Sequence, residues 1–234
     1  MKEDIKTFVP AAGLATRLGG IPKFLLPLSD KSTLLGFHID NLKKLKNNEI
    51  LIGTNKKFYK ILQDIYKEIS IKKLNSSSMV QTVTKLNLEN KKLSLVIMPD
   101  TYFENYKIVE DMRTKIISSN LDVVLGLWKI KQSQIGKLGQ CMLDGDRVKK
   151  IIDKDVNCKE EYFWGLIMWK PSFNNFISDK DSHFGVSLNR AIENKLKIGY
   201  VISPDEFSHL ILFTLYFCQQ SPKTSVLYSI ITNS

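Results

Sequence analysis

The chain has 234 residues, of which 43% are hydrophobic and 25% charged, and its formal net charge is +10. These proportions are typical of a globular protein and exclude a disordered chain, and no apolar run approaches the ~20 residues that cross a bilayer. The length allows one large core, and the sequence contains no internal repeat or proline-rich linker. We therefore expect a single domain.

The excess of basic residues raises the question of a nucleic-acid partner, because clustered lysines attract phosphates. The lysines are instead scattered along predicted helix faces, as in "NLKKLKNN" (41–48) and "NKKFYKILQDIYKEI" (55–69). Aromatic residues do not alternate with them in the pattern typical of single-strand binding. We expect a solvated basic surface with no nucleic-acid partner, which also suits an anionic small substrate.

The N-terminus and the cysteines indicate where the protein works. The first residues, "MKEDIKTF", are charged and lead directly into a strand, unlike a signal peptide. Cys141, Cys158 and Cys218 are widely spaced and form no C-x-x-C pair. This pattern favours a reducing, cytoplasmic setting with no membrane partner.

Strands and helices alternate through the first half of the chain, which predicts a mostly parallel sheet covered on both faces. The predicted elements are a strand at 5–11, a helix at 34–46, a strand at 49–54, a helix at 56–69, a short strand at 71–75, a helix at 79–88, and strands at 93–100 and 121–130. One apolar face of the second helix is expected to contain Phe58, Ile61, Leu62, Ile65 and Ile69.

The second half has a different pattern. Residues 139–155 predict a β-hairpin that turns at Asp144-Gly145-Asp146. A strand at 161–170, a helix at 187–196 and a last strand at 198–203 complete the predicted order.

The most informative stretch, "FVPAAGLATRLGGIPKFLLPL", runs from Phe8 to Leu28. A loop after the first strand of a parallel sheet lies at the carboxyl edge, where small residues let backbone N–H groups approach phosphates. It is not a P-loop, because Ile-Pro-Lys-Phe stands where Gly-Lys-Ser/Thr is needed. It is not a dinucleotide fingerprint either, because the second strand ends "IGTNKK", without an acidic residue.

The run Ala11-Ala12-Gly13-Leu14-Ala15-Thr16-Arg17, followed by Pro22-Lys23 and Leu25-Leu26-Pro27, resembles a family signature. The family is the sugar-1-phosphate nucleotidyltransferases, whose signature reads A-A-G-x-G-T-R, P-K and L-x-P. The resemblance extends through roughly Phe207. It implies a Rossmann-like α/β fold, with a mixed, mostly parallel sheet, helices on both faces and a small β-hairpin insertion on the sugar side. The implied reaction is NTP plus sugar 1-phosphate giving NDP-sugar and pyrophosphate.

The resemblance also implies roles for the residues of this loop. Arg17 and Lys23 would be the catalytic cations that neutralise the triphosphate and the departing pyrophosphate. The nucleotide would be bound by Ala11, Ala12, Gly13, Leu14, Ala15 and Thr16. Ala15 replaces the usual second glycine, and alanine serves if the position needs only a small side chain.

The segment "SSSMVQTV" (76–83) lies where the family recognises the base, and it begins a predicted helix with Ser77 or Ser78 as the N-cap. The amide of Gln81 suits a pyrimidine edge, and Met79 would pack on the ring. The alternative is an ordinary helix start with Met79 in the core.

Asp100 follows a buried strand at the position of the family's metal-binding aspartate, although Pro99 replaces a common glycine. A carboxylate there suits Mg²⁺. The alternative is an N-cap for a helix at 101–106. The second metal aspartate of the family is missing, because His209 falls near its place, and Asp205 remains as the candidate second ligand.

On the sugar side, the resemblance points to Gly139, Asp153, Lys154 and Gly165. Asp153 would accept hydrogen bonds from sugar hydroxyls, and Lys154 would hold the sugar phosphate. The alternative is that "DKD" (153–155) is only a solvated turn.

The resemblance ends in the tail, where Lys223 is the only charged side chain from Ser208 onward. Two interpretations stay open: an apolar closing helix packed on the sheet or on a second copy of the chain, and out-of-frame translation after a coding lesion. We favour the second, because motif and composition fail at the same point. We therefore assign 1–207 to a nucleotidyltransferase domain and 208–234 to an atypical tail of that domain.

The sequence thus predicts a Mg²⁺-dependent enzyme that joins an NTP, of pyrimidine type, to a sugar 1-phosphate. Alternatives with a similar nucleotide site are a cytidylyltransferase acting on polyol phosphates and a GT-A glycosyltransferase. A third alternative is a nucleotide-binding pseudoenzyme that regulates or scaffolds.

Overall fold

The computed structural model describes residues 4–14, 20–29, 32–46, 48–87, 91–205 and 207–209. The strands in these residues are β1 (Ile5–Ala11), β2 (Pro27–Ser29), β3 (Ser32–Thr33), β4 (Asn48–Thr54), β5 (Ser70–Lys73), β6 (Leu93–Ile97), β7 (Thr101–Phe103), β8 (Val123–Lys129), β9 (Gly139–Asp144), β10 (Arg147–Asp153), β11 (Tyr162–Trp169), β12 (Ile198–Ile202) and β13 (Phe207–His209). The α-helices are α1 (Leu34–Lys44), α2 (Lys56–Ile65), α3 (Met79–Leu86), α4 (Lys107–Ser118) and α5 (Phe184–Glu193).

Nine of these strands form one sheet, in the order β5-β4-β1-β6-β11-β8-β12-β10-β9. β1 lies between β4 and β6 and is parallel to both, with Ala11 opposite Thr54 and Phe8 opposite Val96. β10 and β11 are antiparallel to their neighbours. The predicted mixed, mostly parallel sheet is therefore confirmed, including the hairpin that turns at Gly145 with a φ of +56°.

Both faces of β1 are buried, because its side chains alternate between two helical layers. Ile5 and Val9 belong to the core that includes residues of α1, α2 and α4. Phe8 belongs to the opposite core, which includes residues of α3 and α5. Burial of a side chain of this size contributes about 1.5–3 kcal/mol, so this strand is held firmly and only its end is free to carry a site.

Helix α2 is shorter than predicted, and its predicted apolar face is wrong in part. Phe58 and Leu62 are buried, whereas the exposed fractions of Ile61 and Ile65 are 46% and 52%. Ile69 lies beyond the helix and packs on the core from the turn before β5. The helix covers the edge of the sheet, where one narrow i, i+4 seam is enough to reach the core.

The alternative of a helix at 101–106 is wrong, because residues 101–103 form β7. β7 pairs with β13, a strand that was not predicted, since three residues are too few for a periodic signal. The strand at 198–203 is therefore not the last one. Residues 210–234, and with them the two interpretations of the tail, lie outside the described residues. Within the described residues, no helix has the length and hydropathy of a membrane span.

His38 connects α1 to the strand that follows Asp100. Its Nε2 donates to the carbonyl of Thr101 at 2.7 Å, and its Nδ1 accepts from the Tyr106 hydroxyl. The imidazole is fully buried, which lowers its pKa from 6.5 to about 4 despite the opposing effect of the Thr101 carbonyl. The neutral ring satisfies both partners, so a charged ring is disfavoured in the folded protein.

We predict that this histidine makes the protein less stable in acid. The unfolded state takes up the proton near pH 6.5, but the folded state does so only near pH 4. The free energy of unfolding is thus highest above pH 6.5 and falls by about 3 kcal/mol as the pH drops through this window. Urea unfolding of the wild type and of His38→Gln at pH 7.5 and pH 4.5 measures the effect. An equal pH dependence in both proteins would contradict it.

Candidate active site

A cavity of about 420 Å³ opens at the carboxyl ends of β1 and β6. Its walls come from four segments of the chain: the end of β1, the residues just before Leu25, the start of α3 with the residues before it, and the turn after β6. Six of the predicted site residues line it, namely Ala11, Ala12, Gly13, Lys23, Met79 and Asp100. The parallel register explains the grouping, because it brings the ends of neighbouring strands to the same edge.

The loop after β1 leaves open space beside its backbone. Within the described ranges, a Cβ atom added at Gly13 would meet no atom within 4 Å, and the residue has no left-handed φ. Glycine is therefore not required here by packing or by backbone conformation. Leu14 is exposed, and Ala15, Thr16 and Arg17 lie outside the described residues, so their roles stay predictions.

Lys23 is held at the mouth of the cavity by a short 3₁₀ helix, Lys23–Leu25. Phe24 anchors this turn, because it is buried and packs edge-on against Phe58 of α2, with ring centroids 5.9 Å apart. Lys23 Nζ lies 4.0 Å from the Asp100 carboxylate, and the two side chains are 26% and 35% exposed. A pair so long and so exposed is weak, so both groups stay available to a ligand.

Asp100 lies in a tight turn between β6 and β7. The Thr101 hydroxyl donates to the carbonyl of Met98 at 2.9 Å, and His38 holds the carbonyl of Thr101. The alternative role of Asp100 as a helix N-cap is therefore wrong, because a strand follows it and α4 begins only at Lys107. The turn exposes the carboxylate to the cavity.

A second metal ligand is not evident from the described residues, which contain no cluster of three or more His, Cys, Asp or Glu side chains suited to a metal. The antiparallel register sets His209 opposite Thr101, next to Asp100, and sets Phe207 opposite Phe103. Asp205 comes before β13, toward the far end of this pairing. One of its carboxylate oxygens is buried and has no hydrogen-bond partner within the described ranges.

The start of α3 forms another wall of the cavity. Ser78 is the N-cap, its hydroxyl accepting from the backbone N–H of Gln81 at 3.1 Å. The side-chain oxygen of Gln81 accepts from the backbone N–H of Ser77 at 2.8 Å, so the amide takes part in capping the helix. Met79 and Ser77 line the cavity, and Gln81 is not among the described residues that do. Base recognition by Gln81 stays a prediction.

The residues predicted on the sugar side lie together on the β9–β10 hairpin and β11. Gly139 is opposite Asp153, and a Cβ at Gly139 would lie 2.6 Å from Trp164 Nε1 and 3.3 Å from Asp153 Oδ1. Trp164 Nε1 is buried and has no hydrogen-bond partner in the described part of the chain. Lys154 has a left-handed φ of +52°. Gly165 lies within β11, beside Trp164.

His183 was not predicted to belong to this group. Its Nε2 lies 3.4 Å from Asp153 Oδ2, although the two residues are distant in sequence. No local sequence pattern predicts this contact, because it depends on how the loop before α5 folds back over the hairpin.

Sequence reasoning also missed Thr54, the last residue of β4, and Asn55, which follows it as the N-cap of α2. Thr54 Oγ1 donates to the carbonyl of Ala11 at 3.1 Å. Asn55 Nδ2 donates to the carbonyls of Ala12 and Gly13 at 3.0 and 2.9 Å. The available signal was an asparagine directly between a strand and a helix, which marks an N-cap but not a support for another loop.

Comparison with known proteins identifies solved structures that have a similar fold. No family model and no curated protein sequence matches the chain. Among solved structures, a proposed glucose-1-phosphate thymidylyltransferase from Bacillus anthracis in complex with sucrose has a TM-score of 0.74 at 14% identity, covering 96% of this chain and 95% of that one. A UDP-glucose pyrophosphorylase in complex with UDP-glucose has a TM-score of 0.71 at 13% identity, covering 92% and 99%.

An inositol-1-phosphate CTP transferase from T. maritima is similar over 97% of this chain and 94% of that one, with a TM-score of 0.66 at 14% identity. At such low identity the similarity identifies the fold. The chain has the Rossmann-like α/β fold of these nucleotidyltransferases, as its opening motif implied.

We predict that Gly13→Ala separates folding from ligand binding. The free energy of unfolding should change by less than about 0.5 kcal/mol, because the added methyl meets no atom of the described residues. Binding of Mg²⁺–UTP should weaken by about 10-fold or more, because the methyl occupies space next to the backbone N–H groups. Thermal unfolding and calorimetric titration measure the two effects. Unchanged affinity would show that no ligand approaches this position.

Proposed function

We propose that the protein transfers a nucleotidyl group from an NTP, of pyrimidine type, to a sugar 1-phosphate, and that it releases pyrophosphate. The observation that carries this proposal is the cavity where a small-residue loop, a lysine and an aspartate from three segments meet at the carboxyl edge. The similar solved structures, two of them named for nucleotidyl transfer to a sugar or inositol phosphate, support the same reaction class.

In this reaction an oxygen of the acceptor phosphate attacks the α-phosphorus while the bond to pyrophosphate breaks. The loop after β1 would bind the triphosphate through its backbone N–H groups. Lys23 would neutralise the charge that grows on the leaving group, a role that its position in the lining of the cavity supports. Arg17 would act with it, as the opening motif predicts.

Asp100 is the residue that would hold Mg²⁺, since its carboxylate is accessible and its ion pair with Lys23 is long and weak. The metal ion, when bound, neutralises phosphate charge and orients the triphosphate. Asp205, the candidate for a second protein ligand, stays a prediction.

The acceptor side is proposed at Gly139, Asp153, Lys154 and Gly165. The Asp153 carboxylate and the buried Trp164 N–H give an acceptor and a donor beside Gly139, a pairing suited to sugar or polyol hydroxyls. The free thiols of Cys141 and Cys158 suit the proposed cytoplasmic setting.

A second candidate is a cytidylyltransferase that acts on a polyol phosphate, which the similarity to an inositol-1-phosphate CTP transferase favours. One experiment tests both candidates. Pyrophosphate release is measured for UTP, CTP and dTTP, each with glucose 1-phosphate, galactose 1-phosphate, inositol 1-phosphate or glycerol 3-phosphate. Release with a sugar 1-phosphate supports the first candidate, and release only with a polyol phosphate supports the second. No release and no NTP binding would contradict both.

We predict that Asp100→Asn lowers turnover by about 10²-fold or more at every Mg²⁺ concentration, because an amide lacks the charge that a hard cation prefers. Stability should change little, since the side chain is partly exposed and its ion pair with Lys23 is weak. A titration of activity against Mg²⁺ measures the effect, and the matched control is Asp111→Asn, an exposed aspartate on α4. Equal activity in the two variants would remove Asp100 from the site.

A further inference from the structure

The side chain of Asn55 makes four hydrogen bonds in two directions. Its Oδ1 accepts from the backbone N–H groups of Lys57 and Phe58 at 2.9 and 3.2 Å, which caps α2. Its Nδ2 donates to the carbonyls of Ala12 and Gly13 at 3.0 and 2.9 Å. The residue is 9% exposed, so these bonds are largely shielded from water. One buried amide therefore joins the start of α2 to the loop after β1.

These contacts fix three successive peptide groups of the loop. The carbonyl of Ala11 accepts from Thr54, and the next two carbonyls accept from Asn55. The three oxygens thus point toward the end of β4. In a trans peptide the N–H group points opposite to the carbonyl. The N–H groups of the following residues, 12 to 14, are thereby turned away from β4.

The turned N–H groups lie on the side of the open cavity. Ala11, Ala12 and Gly13 line that cavity, and β6 with Asp100 stands across from β4. Consecutive backbone N–H groups on one side of a loop form a concave site for an anion. Gly13 has no side chain that could set this orientation, and in the part of the chain that the structure describes no atom lies within 4 Å of its Cβ position.

The first turn of α2 also holds the other described end of the loop. Lys57 Nζ donates to the carbonyl of Gly20 at 3.1 Å, and Gly20 has a φ of +90°. Phe58 packs against Phe24, next to Lys23. The segment between Gly13 and Gly20 is thus tied at both ends to the same helical turn.

We propose that Asn55 is a positioning residue for triphosphate binding. It holds the carbonyls of Ala12 and Gly13 so that the N–H groups of this loop face the phosphates. The proposal rests on the proposed function for the nature of the ligand, whereas the orientation of the loop can be tested without any ligand. Asparagine is required because one side chain must accept bonds from a helix start and donate two bonds to carbonyls.

The capping and positioning roles are separated by substitutions that retain only the cap. Serine and aspartate cap helices about as well as asparagine, but neither can donate two hydrogen bonds to carbonyls. Asn55→Ser and Asn55→Asp therefore remove the support of the loop and leave the cap. Asn48→Ser is the matched control, because Asn48 also donates to a carbonyl, that of Leu42, and lies at the opposite end of the same strand.

Three measurements are made on the full chain: thermal unfolding, binding and KM of Mg²⁺–UTP and Mg²⁺–CTP, and the backbone carbonyl ¹³C chemical shifts of Ala11, Ala12 and Gly13 without ligand. We expect nucleotide affinity to fall by about 10-fold or more in both Asn55 variants, with KM raised more than kcat is lowered. The carbonyl shifts of Ala12 and Gly13 should move upfield in these variants because both lose a hydrogen-bond donor, whereas that of Ala11, which accepts from Thr54, should not. Asn48→Ser should keep affinity within about twofold of the wild type and leave the three shifts unchanged, and it should unfold at a similar temperature to Asn55→Ser.

Affinity and carbonyl shifts in Asn55→Ser and Asn55→Asp that match Asn48→Ser would overturn the proposal. If the wild type binds neither UTP nor CTP, the proposed function fails, and the carbonyl shifts alone decide about Asn55. Upfield movement at Ala12 and Gly13 would then support its positioning role, and unchanged shifts would overturn it. If one Asn55 variant does not fold, the other gives the same decision.

Discussion

The parallel pairing of β1 with β4 on one side and β6 on the other is the constraint on which the candidate site depends. Because all three strands run in the same direction, Ala11, Thr54 and Ile97 end at one edge of the sheet. Burial of β1 on both faces leaves that edge as the place where its backbone can meet a ligand. This register brings the loop after β1, the buried side chain of Asn55 and the accessible side chain of Asp100 to the same edge of the sheet.

Neighbouring strand ends contribute different parts of the site. The loop after β1 offers backbone groups but few side chains, whereas the end of β4 supplies the hydrogen bonds that orient it. The turn after β6 presents Asp100 and is itself fixed by a buried histidine from α1. The charged groups that would meet phosphates are therefore only partly exposed and weakly paired, while the groups that support them are buried and well paired.

The sequence predicted the central strands, most helices, the hairpin turn and the cavity residues Gly13, Lys23 and Asp100, because each depends on local periodicity or on a compact motif. It did not predict β13 or the contact of His183 with Asp153, since both depend on segments that are distant along the chain. Asn55 was missed for a related reason. An N-cap can be read locally, but a second bond partner 42 residues away cannot.

The position of β11 has a consequence for how the chain folds. β1, β4, β5 and β6 all come from the first 97 residues, but the free edge of β6 is closed only by β11, which begins at Tyr162. During synthesis one edge of β6, the apolar strand "LSLVI" (93–97), therefore remains unpaired until the ribosome has made β11. Such long-range closure slows folding and exposes the growing chain to wrong partners. The yield of folded protein from cells should thus depend on the rate of synthesis and on chaperones, and not only on the stability of the finished sheet.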